Sequence, residues 1–136
     1  MKKAYRIFFS HGSEDKYIVN FLKNRLEDSG ACVFADTVEI QYGDNFQKIV
    51  IDELMKVDEL LVLLTPTSIR RPWVHAEIGA ALARKKRVVP VSYYVERPEL
   101  EECGLLSVLG TIRLLSMNDF ESYLNELKSR VQGYTC

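Results

Sequence analysis

Residues 60–68 read LLVLLTPTS and residues 71–86 read RPWVHAEIGAALARKK. The first run is apolar throughout and ends in a polar turn, which marks a buried strand. The second opens with Pro72, which suits the first turn of a helix. In that helix Val74, Ile78, Ala81 and Leu82 recur at core-face spacing, while Trp73, Glu77, Ala80 and Arg84 climb another side. Strand, turn and helix together form a βα unit, and ligands of open α/β sheets bind outside the carboxyl ends of the strands. Trp73 and Glu77 lie one helical turn apart there, an aromatic face beside a carboxylate. The spacing places Glu77 off the core, as a candidate for chemistry.

The same alternation runs outward in both directions. AYRIFFS (4–10) reads as a first strand, and Ser13 or Asp15 as the cap of a helix with Ile18, Phe21, Leu22 and Leu26 on one stripe. CVFA (32–35) is a short second strand, followed by the polar loop DTVEIQYG (36–43) and a helix over about 44–57 with Phe46, Ile49, Val50, Leu54 and Val57 inward. The third strand is ELLVLLT (59–65), the fourth RVVPVSY (87–93) and the fifth TIRLL (111–115). Pro90 removes a ladder donor and demotes the fourth strand toward an edge or a bulge. Pro98 to Gly110 is open between a short helix and a loop. The last helix covers about 118–131, with Phe120, Tyr123, Leu124, Leu127 and Val131 at helical spacing.

Strands that are apolar throughout and alternate with helices imply a parallel sheet covered on both faces, with right-handed crossovers. The expected fold is a flavodoxin-like α/β sandwich of three layers, with a five-stranded, mostly parallel sheet in the order 2-1-3-4-5. Its switch point falls between the first and third strands, so Ser10, His11 and Gly12 should face Thr65 to Glu77 across one crevice.

The 136 residues fit one domain, and 47% hydrophobic with 27% charged residues is ordinary for a soluble globular protein. Lys and Arg number 18 against 19 Asp and Glu, a net charge of −1 that recruits neither nucleic acid nor membrane. ARKKR (83–87) reads as a helix C-terminus. Three cysteines without metal-ligand spacing, and no signal-like apolar segment after Met1 to Arg6, point to a reducing cytosol without a structural disulfide. Two histidines and no cysteine cluster predict no metal site. No Gly-x-Gly-x-x-Gly follows the first strand and no Gly-Lys-Ser or Gly-Lys-Thr occurs, which excludes hydride-carrier and P-loop chemistry.

In order, RIFFSHGSEDK, DTVEIQYGDNF, LLVLLTPTS and WVHAE resemble the successive boxes of a TIR domain, over nearly the whole chain. The resemblance implies an enzyme that takes NAD+ as substrate, without a cofactor, and breaks the bond between nicotinamide and ribose. Its products are nicotinamide and a linear or cyclised ADP-ribose, in a defence or cell-death response. It implies that Glu77 is catalytic and that Ser10, His11, Gly12 and Trp73 touch the nucleotide. The loop from Asp36 to Gly43 resembles the long loop that gates the site and mediates self-association, with Asp36, Tyr42 and Gly43 as its candidates. The physical reading agrees, because departure of nicotinamide leaves an oxocarbenium-like ribose that a carboxylate stabilises.

Each residue also has a plainer reading. Most surface glutamates do nothing chemical, although Ala80 and Ala81 give Glu77 no cationic helical neighbour and leave only Arg70 and Arg71 within reach. Trp73 either stacks on substrate or seats the helix behind Pro72. His11 and Gly12 suit a turn, and the 36–43 loop suits a surface. Two further functions stay open. One is a TIR scaffold that signals by self-association alone, and the other an enzyme like the nucleoside deoxyribosyltransferases, which also use a glutamate.

Overall fold

A computed structural model describes residues 4–35, 42–43 and 45–134. Five strands, β1 (Arg6–Ser10), β2 (Cys32–Phe34), β3 (Glu59–Leu64), β4 (Arg87–Ser92) and β5 (Leu115–Ser116), form one sheet in the order β2-β1-β3-β4-β5. Every pairing is parallel. The helices are α1 (Lys16–Asp28), α2 (Phe46–Met55), α3 (Pro72–Ala83), α4 (Arg97–Glu102), α5 (Leu105–Leu109) and α6 (Phe120–Arg130). This is the expected flavodoxin-like sandwich.

The period of two along the strands divides the core into two layers. Ile7, Phe9, Leu61 and Leu63 pack with α1 and α6, while Phe8, Leu60, Val62 and Leu64 pack with α2, α3, α4 and α5. All six residues of β3 are buried, as a central parallel strand covered on both faces requires.

Three local expectations need correction, and one open reading is decided. Phe21 is 61% exposed, because α1 turns Val19, Leu22 and Leu26 to the sheet instead. The fifth strand is Leu115–Ser116 alone, since only these residues pair with β4, at Val91 and Ser92. Pro98 to Gly110 holds two helices, α4 and α5, and Glu96 and Glu99 make a reciprocal capping box at the first. Cys32 is disulfide-bonded, and Cys103 is a free cysteine. Redox compartment governs whether a disulfide persists, whereas the fold governs which cysteines meet.

Pro90 lies inside the sheet order but is not misplaced. Tyr93 N donates to Leu64 O at 2.9 Å, so the N–H groups of Val91, Val89 and Arg87 also point to β3. Those of Ser92 and Val88, and the vacant position of Pro90, point the other way. On that side β5 begins pairing only at Val91, so the proline costs the sheet no bond. The expected edge therefore exists, confined to the amino half of β4.

The end of α3 stores strain in a replaceable residue. Lys86 N bonds to Ala81 O and Lys85 N to Leu82 O, the paired bonds of a Schellman motif, with Lys85 left-handed at φ 58°. A β-carbon is disfavoured there by about 1 kcal/mol. Lys85→Gly should raise stability by ~0.5–1 kcal/mol, read as a shift in the urea midpoint. An unchanged or lower midpoint would contradict this reading of the motif.

Candidate active site

The carboxyl ends of β1 and β3 are laced together by short polar side chains. Of the two candidate caps of α1, Ser13 and Asp15, Asp15 holds the N-cap position without a capping bond; its carboxylate accepts from Thr65 Oγ1 at 3.0 Å and joins the β1 turn to the β3 turn. The Thr-Pro-Thr-Ser segment closes on itself. Thr65 N donates to Ser68 Oγ at 2.8 Å, Ser68 N to Thr65 Oγ1 at 3.1 Å, and Ser68 Oγ to Leu63 O at 2.7 Å. Glu14 and Arg71 form an ion pair over the same junction. Arg71 is thereby engaged away from Glu77, the residue it was expected to be able to reach.

Ser10 ends β1 on the face toward α3, since Phe8, two residues earlier, packs in that layer. Glu77 descends from α3 onto it. Phe8, Ser10, His11, Ala35, Trp73 and Glu77 line one crevice and leave no room in it for a water molecule. Glu77 is 1% exposed, which corrects the expectation that it lies off the core. Helical spacing had set it off the apolar stripe, and the end of β1 covers that side of the helix.

Neither Glu77 oxygen has a hydrogen-bond partner among the described residues, and the Ser10 hydroxyl is equally unsatisfied. Burial therefore pushes the Glu77 carboxyl up from 4.5 to about 8. The nearby Ser10 hydroxyl opposes that rise without making a hydrogen bond of normal geometry. A buried carboxyl with no partner is costly to keep, and such groups concentrate at functional sites.

His11 is buried, contrary to its reading as an exposed turn residue. Its Nδ1 lies 2.8 Å from Gly12 O and its Nε2 2.7 Å from Ala35 O, so the ring ties the end of β1 to the end of β2. Trp73 is half-buried against the α3 layer and lines the crevice, consistent with both of its readings. Gly12 lies close to Asp15, Glu14 and Ser68, where a Cβ would come within 3.3 Å of two carboxylate oxygens. Tyr42 and Gly43 are exposed and do not line the crevice, and Asp36 lies outside the described residues. His75 bonds through Nε2 to Ile69 O at 2.6 Å, and it does not line the crevice either. Among the described residues no group of three His, Cys, Asp or Glu is placed to hold a metal ion.

Sequence reasoning missed Asp15, Thr65 and Ser68 as the braces of this site. The Thr-Pro-Thr-Ser run carried a signal, because Thr and Ser hydroxyls close such turns on their own backbone.

The TIR domain family matches residues 7–128, and the chain belongs to that family. Among curated proteins it is 29% identical, over 72% of its length, to the 2' cyclic ADP-D-ribose synthase BtTIR of Bacteroides thetaiotaomicron, covering 36% of that protein. It is 26% identical, over 96% of its length, to the protein of Methanobrevibacter olleyae named "Probable 2' cyclic ADP-D-ribose synthase TcpO", covering 39% of it. The chain thus spans well under half the length of these relatives. Of solved structures, the TIR domain of the Toll-related receptor TRR-2 from Hydra magnipapillata superposes with a TM-score of 0.68 at 15% identity, over 96% of this chain and 100% of that one. That likeness speaks for the fold alone. Among the described residues no helix is long and apolar enough to cross a membrane.

Proposed function

We propose that this TIR domain cleaves the nicotinamide–ribose bond of NAD+, with Glu77 as the catalytic carboxylate. The observation that carries the reading is the buried, unpartnered Glu77 between Ser10 and Trp73 at the sheet's switch point. Nicotinamide is already cationic in NAD+, so the C–N bond breaks with its electron pair passing to the ring nitrogen and needs no acid. The charge that develops is on the ribose, where an ionised Glu77 stabilises it. Water then adds to the ribose carbon and releases a proton, giving ADP-ribose, or a hydroxyl of the adenosine ribose adds, releases its proton and closes a ring. The names of the two curated relatives favour the ring.

In the closed crevice Glu77 holds its proton at neutral pH, so the site has to open before it works. Because the folded pKa is about 8, nicotinamide release by the resting protein should rise as pH increases toward and through 8. A rate flat from pH 6 to 9 would show that Glu77 is ionised throughout. Self-association of copies, cytoplasmic placement and a role in defence belong to the same proposal. We assign the opening of the crevice to such contacts.

The closed crevice also favours a second reading, a scaffold without turnover. The deciding experiment is chromatography with mass detection of NAD+ incubated with concentrated protein, wild type beside Glu77→Ala. Release that depends on Glu77 supports the enzyme, and the product mass separates hydrolysis from cyclisation. No release at any protein concentration leaves the scaffold.

A further inference from the structure

Away from the Glu77 crevice, the amino half of β4 has no strand paired on its β5 side, although Val88 itself is buried. Since β5 pairs only at Val91 and Ser92, the N–H and C=O of Val88 have no strand partner on that edge. The chain leading into β5 and the helix α6 stand off from this edge and enclose a groove of about 410 Å³. That volume suits a small metabolite.

We propose that this groove binds a nucleoside phosphate, at a site distinct from the crevice of Glu77.

Three kinds of surface meet in it. Arg87 and Arg113 are exposed on its wall and have no ion pair among the described residues. Arg130 is engaged with Glu59 through Nη2 at 3.1 Å, but its buried Nε has no hydrogen-bond partner. Planar guanidinium groups match phosphate oxygens two at a time. Asp119 and Glu126 face the same space, and neither has an ion pair among the described residues. Ile112 and Leu114 add half-buried apolar surface.

The charges decide the class of ligand. Arg87 and Arg113 balance Asp119 and Glu126, while Arg130 is balanced by Glu59, so the groove is close to neutral and has no net pull on a bare anion. A ligand that satisfies it needs an anionic group for the guanidiniums, hydroxyl donors for the carboxylates and an apolar face. A nucleoside phosphate carries all three as phosphate, ribose and base. The groove and the crevice have no lining residue in common.

The test is calorimetric titration of the 136-residue protein with ADP, adenosine and inorganic phosphate at low salt, with amide chemical-shift mapping by NMR. ADP should bind at least tenfold more tightly than either fragment and shift the amides of Val88, Arg113 and Glu126 more than those of Ser10 and His11. The exposed double variant Arg87→Glu/Arg113→Glu should keep its melting temperature and lose at least tenfold in ADP affinity, while Glu77→Ala binds as wild type does. The proposal is overturned if ADP fails to bind, if phosphate binds as tightly as ADP, or if the shifts centre on Ser10 and His11. Loss of affinity in the double variant would be discounted if its melting temperature fell, and the shift map of the wild type would then decide.

Discussion

Glu77→Gln should slow nicotinamide release by about 10²–10³ and, in the same molecule, make the fold more stable at alkaline pH. The catalytic loss follows from removing the one charge held against the developing ribose cation. Electrostatic groups of that kind are worth about 10²–10³ in rate. The stability gain follows from linkage. The carboxyl titrates near its ordinary 4.5 when unfolded and at about 8 when folded. Between those values the unfolded chain sheds a proton that the folded chain keeps, so stability is fully present below 4.5 and declines as pH rises to 8. At about 1.4 kcal/mol per pH unit, the loss is roughly 3–5 kcal/mol. Glutamine has nothing to titrate. The two proteins should melt together near pH 4 and separate with rising pH, the variant melting higher at pH 8.5. Equal melting temperatures at pH 8.5 would mean that the carboxylate is solvated or paired, and the desolvated site described above would be wrong.

The opposite case is Glu59, a second fully buried carboxylate among the described residues. It lies at the amino end of β3 and accepts from Tyr5 Oη at 2.8 Å, from Tyr123 Oη, and from Arg130 Nη2 at 3.1 Å. Burial first, then the repulsion of Glu59, pushes both phenols well above their usual range, so they stay protonated donors. One side chain thus joins the residue before β1 to β3 and α6. Glu59→Ala leaves two hydroxyls and a guanidinium without their acceptor and should cost ~3–5 kcal/mol. Glu59→Gln keeps an acceptor oxygen and should cost less. Urea denaturation of the two variants measures this. A loss below 1 kcal/mol in Glu59→Ala would show that water replaces the carboxylate and that the cluster is not dry.

Glu59 and Glu77 also mark where sequence reasoning succeeds and stops. The strand order follows from local facts: apolar runs of strand length, helical stripes between them and the handedness of crossovers. The meeting of Ser10 with Glu77 follows from that order. What periodicity cannot reveal is which side of a helix a neighbouring strand end will cover. Helical spacing set Glu77 off the core, but it is buried with Val74, Ile78 and Ala81, against the end of β1 at Ser10, which lies 67 positions earlier in the chain. Glu59 read as the polar start of a strand, because its three donors come from positions 54, 64 and 71 residues away. Phe21 failed for a related reason, since the stripe of α1 is wide enough for the helix to rotate and turn Val19 inward in its place. His11 looked like turn chemistry because the carbonyl that fixes it belongs to Ala35, across a strand pairing.

A crevice too tight for a water molecule has a consequence for any affinity measured on this domain. On the proposed function, NAD+ would bind only the fraction of molecules that are open, and the apparent dissociation constant would be the intrinsic one divided by that fraction. With about one molecule in a hundred open, a micromolar site would be recorded as a site of roughly 0.1 mM. A contact that merely holds the crevice open, touching neither Glu77 nor NAD+, would recover the full factor. Weak binding by the isolated domain would then measure a conformational equilibrium, and the quality of the site would be read only once that equilibrium is shifted.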